Sequence, residues 1–305
     1  MRLLRKSIIS RVRFYQNTLI AIMFAGTVVQ SGAQIYTPAI RDTSLQINLS
    51  GGLSNWTIDG VNQLNQQWFY YSVGSGPVYS IDTIAPWSTP TITTNSGKTQ
   101  ITLNETYANS TISVGTRYIL GSSPVGSGKA TLTQTLTINN PSATTAQVFH
   151  FYQYSDFDLG GVSGGQNVQF TSKGSGQQYQ VVQTASTGIT LTGLVTGVSG
   201  GSSVQYEVQA GTYDGTQFGL GNGNSAPLLN NTLTAGPDNV VYAYEWDATL
   251  AAGGSIIISE IETVVPEPSS VALVASGMLA LALLYRRRRA DSVIAVLVRV
   301  KFFLP

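Results

Sequence analysis

The chain has 305 residues, a formal net charge of +1, no cysteine and a single histidine, His150. That composition excludes disulfide stapling, thiol catalysis, cysteine-based metal centres and any histidine-rich metal site. The near-zero charge gives no reason to expect nucleic acid as a partner. It is, however, a sum of unlike parts. Residues 1–33 carry Arg2, Arg5, Lys6, Arg11 and Arg13 and no acid. Residues 34–264 hold five bases against 13 acids, a net −8. The last segment is basic again, with Arg286–Arg289, Arg299 and Lys301 against Glu267 and Asp291.

Taken in chain order, residues 1–33 read as a secretory signal peptide. A basic region ends at Arg13, an apolar stretch covers Thr18–Val29, and Ser31-Gly32-Ala33 places small residues at −3 and −1. The apolar stretch falls short of the roughly 20 residues that span a bilayer. Cleavage between Ala33 and Gln34 by signal peptidase is therefore expected, after entry into the general secretion route, since no twin-arginine pair is present.

Residues 34–264 read as all-β. Ser, Thr, Gly, Val, Ile and Tyr dominate, and no convincing amphipathic helix occurs. Apolar residues recur at every second position in Ile112–Leu120, Leu132–Ile138, Val148–Tyr154 and Val240–Trp246. Gly- and Asn-rich breaks separate these runs, at Asn95–Gly97, Gly121–Gly128, Asn139–Pro141, Gly160–Gly165, Ser199–Gly201, Gly221–Asn224 and Ala251–Gly254. Roughly a dozen strands at such spacings predict one large antiparallel β-sandwich, flanked by an N-terminal signal helix and a C-terminal transmembrane helix. Two smaller sandwiches split near Gly160–Gly176 are the alternative. Val148–Tyr154, apolar on both faces, belongs in the middle of the packing.

Candidate chemistry in this body is sparse. Asp156-Phe157-Asp158-Leu159-Gly160-Gly161 opens like a calcium loop, with acids at positions 1 and 3. Position 5 is Gly160 and position 12 is Asn167, so the helix–loop–helix pattern fails. An irregular calcium site on Asp156 and Asp158 remains as a candidate; no other cofactor is expected. The acid pairs Asp156/Asp158, Glu245/Asp247 and Glu260/Glu262 each share a strand face, at carboxylate separations that serve glycosidases. Alternate acids on a strand are more often its solvated face, and that reading is adopted here. His150 has no Gly-x-Ser-x-Gly elbow to activate, so it is expected to be packed or exposed without catalytic duty. The aromatic residues from Trp56 to Trp87 could build a sugar-stacking face, for which Trp56, Trp68 and Trp87 are the candidate carbohydrate-binding residues. No catalytic residue is assigned, and an enzyme is not expected.

The C-terminal segment is the most informative. Val265-Pro266-Glu267-Pro268 leads into the apolar run Val271–Tyr285, and Arg286–Arg289 follow at once. Prolines break regular structure outside the membrane. An apolar helix can enter the bilayer, and the arginines hold its far end in the cytoplasm. Pro266, Glu267 and Pro268, the helix, and Arg286, Arg287, Arg288 and Arg289 together resemble the PEP-CTERM sorting signal of Gram-negative bacteria, over residues 265–289. The resemblance implies processing by the membrane protease exosortase near Pro266–Pro268. It also implies an inner-membrane intermediate held by residues 271–285, then delivery to the cell surface or an exopolysaccharide matrix. Residues 290–305, apolar and β-branched, depart from that pattern as an atypical extension.

The body itself resembles a recurring group of PEP-CTERM proteins, on Trp56–Gly60, Gln67–Tyr71, Phe151–Leu159, Glu245–Asp247 and Gly253–Ser259. This implies one continuous domain and little about activity. The expected role is non-catalytic and structural, in an exopolysaccharide matrix; the alternative is a carbohydrate-binding module. With a net −8, the body should repel anionic polysaccharide, which favours neutral sugars or a calcium-bridged contact.

Overall fold

The computed structural model describes residues 34–266, apart from 86, 173–178 and 227, together with 278, 279 and 285. The signal peptide, Ala33, Glu267, Pro268, Arg286–Arg289 and the 290–305 extension lie outside the described residues. So does most of the expected membrane helix; Met278, Leu279 and Tyr285 are helical. Among the described residues, no helix is long and apolar enough to cross a membrane.

The body is all-β, as its alternation predicts. In chain order the strands are β1 (Ile35–Tyr36), β2 (Ala39–Ile40), β3 (Thr43–Asn48), β4 (Gly52–Ile58), β5 (Val61–Asn62), β6 (Leu64–Val73) and β7 (Tyr79–Ser80). Then come β8 (Thr91–Thr94), β9 (Gln100–Ala108), β10 (Ser113–Ser122), β11 (Ala130–Asn139), β12 (Gln147–Phe157) and β13 (Gln166–Ser172). The last are β14 (Tyr179–Ala185), β15 (Ile189–Gly200), β16 (Ser202–Thr212), β17 (Thr234–Asp238), β18 (Val240–Leu250) and β19 (Ser255–Pro266). They form two antiparallel sheets packed as a sandwich. The first has ten strands, with the central order β1-β3-β4-β6-β12-β18-β16. The second has nine, in the order β17-β13-β14-β15-β19-β11-β10-β9-β8.

Both sheets cross the point where a division into two sandwiches was considered. β12 pairs with β18, and β14–β15 join the same sheet as β11 through β19. The described residues 34–266 accordingly belong to one compact unit.

The period-2 pattern places the core. Ile112, Val114, Thr116, Tyr118 and Leu120 are all buried, as are Leu132, Gln134, Leu136 and Ile138. On the facing sheet, Phe151, Tyr242, Tyr244 and Trp246 point inward. Tyr244 stacks on Trp246 at 5.4 Å between ring centroids, and Phe170 meets Tyr244 edge-on at 5.3 Å. Without disulfides, rings of this size supply much of the apolar area that holds the sheets together. β12 is buried on both faces from Phe151 to Phe157. Its second face is closed by the chain between β16 and β17, where Phe218 meets Tyr154 edge-on at 6.1 Å.

The core also holds a polar seam that the sequence reading misplaced. Glu260 and Glu262, expected on a solvated face, are 2% and 0% exposed. Because β19 lies between β15 and β11, one of its faces must meet the other sheet. Glu262 accepts hydrogen bonds from Gln67 at 2.6 Å, Gln134 at 3.1 Å and the Tyr242 hydroxyl at 3.2 Å. Gln67 also donates to Ser155 at 3.0 Å, and Gln153 donates to Glu260 at 2.6 Å. Burial pushes Glu260 up to about 7 and Glu262 well above the ordinary carboxyl range, with Glu260 adding to the shift of Glu262. Gly193 on β15 leaves the room. A Cβ there would lie 2.7 Å from Val181 and 3.1 Å from a Glu260 oxygen.

Candidate functional site

Two regions could carry function: the end of β19, where the sorting motif begins, and the outer face of the first sheet.

β19 runs down the middle of the second sheet to Pro266. Its last residues pair with β11 (Ala130 opposite Val264) and with β15 (Ile189 opposite Pro266). Pro266 itself is exposed and closes over Gly128, where any Cβ would come within 2.4 Å of the proline ring. The sandwich is thus complete at the residue where the Pro-Glu-Pro segment starts. At the other end, the Gln34 carbonyl accepts a hydrogen bond from the Leu49 amide at 3.2 Å. The residue that follows the expected signal-peptide cut is already tied into the fold.

The outer face carries the second region. In β12 the side chains of His150 and Tyr152 lie on the face opposite Phe151 and Gln153. Register places His150 across from Asp247, and Tyr152 across from Glu245, both on β18. Glu207 on β16 lies across from Glu245 on the other side. The result is a compact cluster. His150 Nδ1 is 2.5 Å from Asp247 Oδ1 and 3.6 Å from Glu245 Oε1. Glu245 Oε2 accepts from the backbone amides of Leu229 at 3.1 Å and Leu228 at 3.4 Å. Its Oε1 is buried without a hydrogen bond of ordinary length, and the Tyr152 hydroxyl beside it interacts with the same carboxylate. The side chains of His150 and Asp247 keep 13% and 17% of their surface, whereas Glu245 keeps none.

The electrostatics follow from that packing. The hydrogen bond to Asp247, and then Glu245, raise the His150 pKa to about 9 against the opposing effect of burial. At neutral pH it is an imidazolium held between two carboxylates, so it can donate a proton but cannot act as a free base. Glu207 is raised by burial and by the nearby charges of Glu245 and Asp247. Glu245 is therefore not part of a solvated acidic face. The segment carrying Leu228 and Leu229 covers it and supplies its hydrogen bonds.

The other sequence candidates are placed as follows. Trp56 and Trp68 are core residues, 0% and 2% exposed, and cannot stack on a sugar at the surface. Trp56 donates its indole N–H to Thr43 at 3.2 Å, and Trp68 to Ser80 at 2.5 Å. Both belong to the aromatic filling: Trp56 meets Phe157 and Trp68 meets Tyr107, each edge-on at 6.3 Å. Trp87 is half-buried, edge-on to Tyr107 at 6.0 Å, with its indole N–H bound to the Asp82 carbonyl at 3.0 Å. Asp156 is buried, accepts from Asn65 at 2.8 Å, and is raised to about 6 by burial and then by neighbouring Asp158. Asp156 and Asp158 each keep one buried oxygen without a partner, which suits a hard cation but gives only two ligands. His150 meets Asp247 and Glu245; neither Asp156 nor Asp158 is its partner.

The tail decides the broader setting. Residues 264–289 match the PEP-CTERM protein-sorting motif. This chain carries a PEP-CTERM sorting signal. The motif directs export to the cell surface through a membrane-anchored intermediate, with exosortase as the processing partner. No curated protein matches the chain. Among solved structures, it is similar to a bacterial glucoamylase in complex with acarbose, at 10% identity over 83% of this chain and 36% of that one, TM-score 0.46. It is also similar to a putative aldose 1-epimerase from Escherichia coli K12, at 12% identity over 77% and 100%, TM-score 0.43. A galactose mutarotase-related enzyme from Lactobacillus acidophilus matches at 9% identity over 76% and 97%, TM-score 0.38. The chain spans about a third of the glucoamylase. Likenesses this distant carry no argument about activity.

Proposed function

We propose that the PEP-CTERM protein is delivered to the cell surface or the exopolysaccharide matrix as a free-standing, non-catalytic β-sandwich, released by a cut near Pro266–Pro268. The observation that supports this reading is the position of the motif. It overlaps the last three residues of β19, Val264–Pro266, so among the described residues a cut just beyond them removes no strand, no core side chain and no sheet hydrogen bond. The mature domain would span 34 to about 266–268, with everything after the cut, through Pro305, left behind. Intact-mass analysis of the exported protein tests it. A mass matching a chain from Gln34 to Pro266–Pro268 is expected, whereas a mass that still includes Arg286–Pro305 would refute it.

A second reading, carbohydrate binding, moves from the tryptophans to the outer face. His150, Glu207 and Asp247 are partly exposed and converge there, and such groups can hydrogen-bond sugar hydroxyls. Five of the body's 13 acids (Glu105, Asp156, Glu245, Glu260 and Glu262) are buried, so the surface is less anionic than the sequence total of −8. A neutral polysaccharide remains the favoured partner. Retention on a neutral polysaccharide column that survives Trp56→Phe but is lost in Glu207→Ala would support this reading. Retention unchanged in Glu207→Ala would remove it.

A further inference from the structure

The His150 cluster has features that neither sorting nor a structural role requires. Three potential ligand atoms, His150 Nδ1, one Glu245 oxygen and one Asp247 oxygen, all lie within 4.8 Å of one another. They come from two adjacent, paired strands in the interior of a sheet, so the backbone fixes their spacing. A side chain as buried as Glu245 ordinarily has every oxygen satisfied, because an unpaired buried carboxylate oxygen carries a full desolvation cost. Here Oε2 is bound by two amides, which orient the group, while Oε1 faces His150 Nδ1 at 3.6 Å, too long for an ordinary hydrogen bond. The Tyr152 hydroxyl is fully buried on the same face, across from Glu245, and interacts with that carboxylate.

We propose that His150, Glu245 and Asp247 form a binding site for one divalent transition-metal ion of the zinc class. The donor set carries the choice. One imidazole nitrogen with two carboxylate oxygens suits zinc and its neighbours, whereas magnesium and calcium prefer oxygen alone. Two carboxylates and a neutral imidazole balance the two charges of the ion, which a low-dielectric site requires. The two separations from His150 Nδ1 are close to what such an ion needs, and the third lies within 4.8 Å. Ligands at about 2.0–2.1 Å in a tetrahedron sit roughly 3.3 Å apart. The Glu245 contact is already near that, and the shorter Asp247 contact needs to open by less than roughly 1 Å. Three protein ligands leave the fourth position open, on the side where His150 and Asp247 reach solvent. The amides of Leu228 and Leu229 act as outer-shell donors that hold Glu245 in place. This inference is independent of the sorting reading, and it shares His150 and Asp247 with the carbohydrate reading.

The test is calorimetric titration of zinc chloride into the full chain purified in metal-free buffer, with magnesium chloride as the comparison. The expected result is one zinc ion per chain, no comparable magnesium binding, and at least a tenfold loss of zinc affinity in both His150→Gln and Asp247→Asn. Leu229→Pro, which removes one amide donor from Glu245, should weaken zinc less than either ligand substitution. Circular dichroism shows whether each variant is folded. Asp247→Asn keeps the size of the side chain, so at least one ligand variant remains folded and informative. Zinc affinity unchanged in His150→Gln, equal affinity for magnesium, or no zinc binding to the native chain would each overturn the proposal.

Discussion

Two acid pairs with the same spacing end in opposite environments. Glu260 and Glu262 on β19 face the other sheet; Glu245 and Asp247 on β18 face away from it. In the first region the carboxyls meet Gln67, Gln134, Gln153 and Tyr242, all neutral, and are themselves pushed toward neutrality. In the second, the carboxylates meet an imidazolium and a margin of solvent. An acid-x-acid pattern therefore says that two side chains share a face, but not which face. That depends on what packs above it. Burial without a counter-ion favours the protonated carboxyl, as at Glu260 and Glu262.

The comparison can be broken from either side. The largest effect is expected in the core. Trp68→Ala should destabilise the body by about 3–5 kcal/mol in urea denaturation, because a fully packed indole is lost between strands that cannot close up. Next, Glu262→Ala should cost about 3 kcal/mol, since it strands the donors of Gln67, Gln134 and Tyr242 together. Glu262→Gln should cost less than about 1 kcal/mol, because a neutral carboxyl and an amide present similar atoms. Equal losses in the two variants would show that Glu262 is charged.

A pH series sharpens the same contrast. Glu105 and Glu260 each rise from an ordinary 4.5 to about 7 on folding, chiefly through burial. The folded state then holds protons that the unfolded chain has released. Their contribution to stability is fully present below about pH 4.5 and is lost as pH rises through about 7. The melting temperature measured by calorimetry should fall across that window, by an amount on the order of a few kcal/mol in stability. A melting temperature that climbs between pH 4.5 and 7 would contradict the neutral core pair. The smallest effect is expected outside. Asp247→Asn, in metal-free buffer, should change stability by only about 0.5–1 kcal/mol, because the group is partly solvated.

Much of this was legible in the sequence. Alternation from Ile112 to Leu120 and from Leu132 to Ile138 named the buried faces correctly, including the polar positions Thr116 and Gln134. The all-β sandwich and the tail motif followed from the same local patterns. The two-sided burial of Val148–Tyr154 was visible in its composition, although Val148 itself is exposed at its end. The partnerships were not legible. His150 and Asp247 are 97 residues apart, and Gln67 and Glu262 are 195 apart. Only the strand order brings them together, and strand order leaves no trace in local period. The tryptophans failed as surface candidates for a related reason. A ring that can stack on a sugar can equally fill a sandwich, and residue type alone does not choose. A usable signal was present nonetheless. Gln67, Gln134, Gln153 and Gln183 sit at inward positions of otherwise apolar strands, which marks a buried polar partner on the opposite sheet.

The neutrality of the core carboxyls is tested most directly by carbon-detected NMR titration of the glutamate side-chain carboxyls in the exported protein. The account predicts that Glu105 and Glu260 titrate near 7 and that Glu262 titrates well above the ordinary carboxyl range. Titration of all three near the ordinary 4.5 would contradict it.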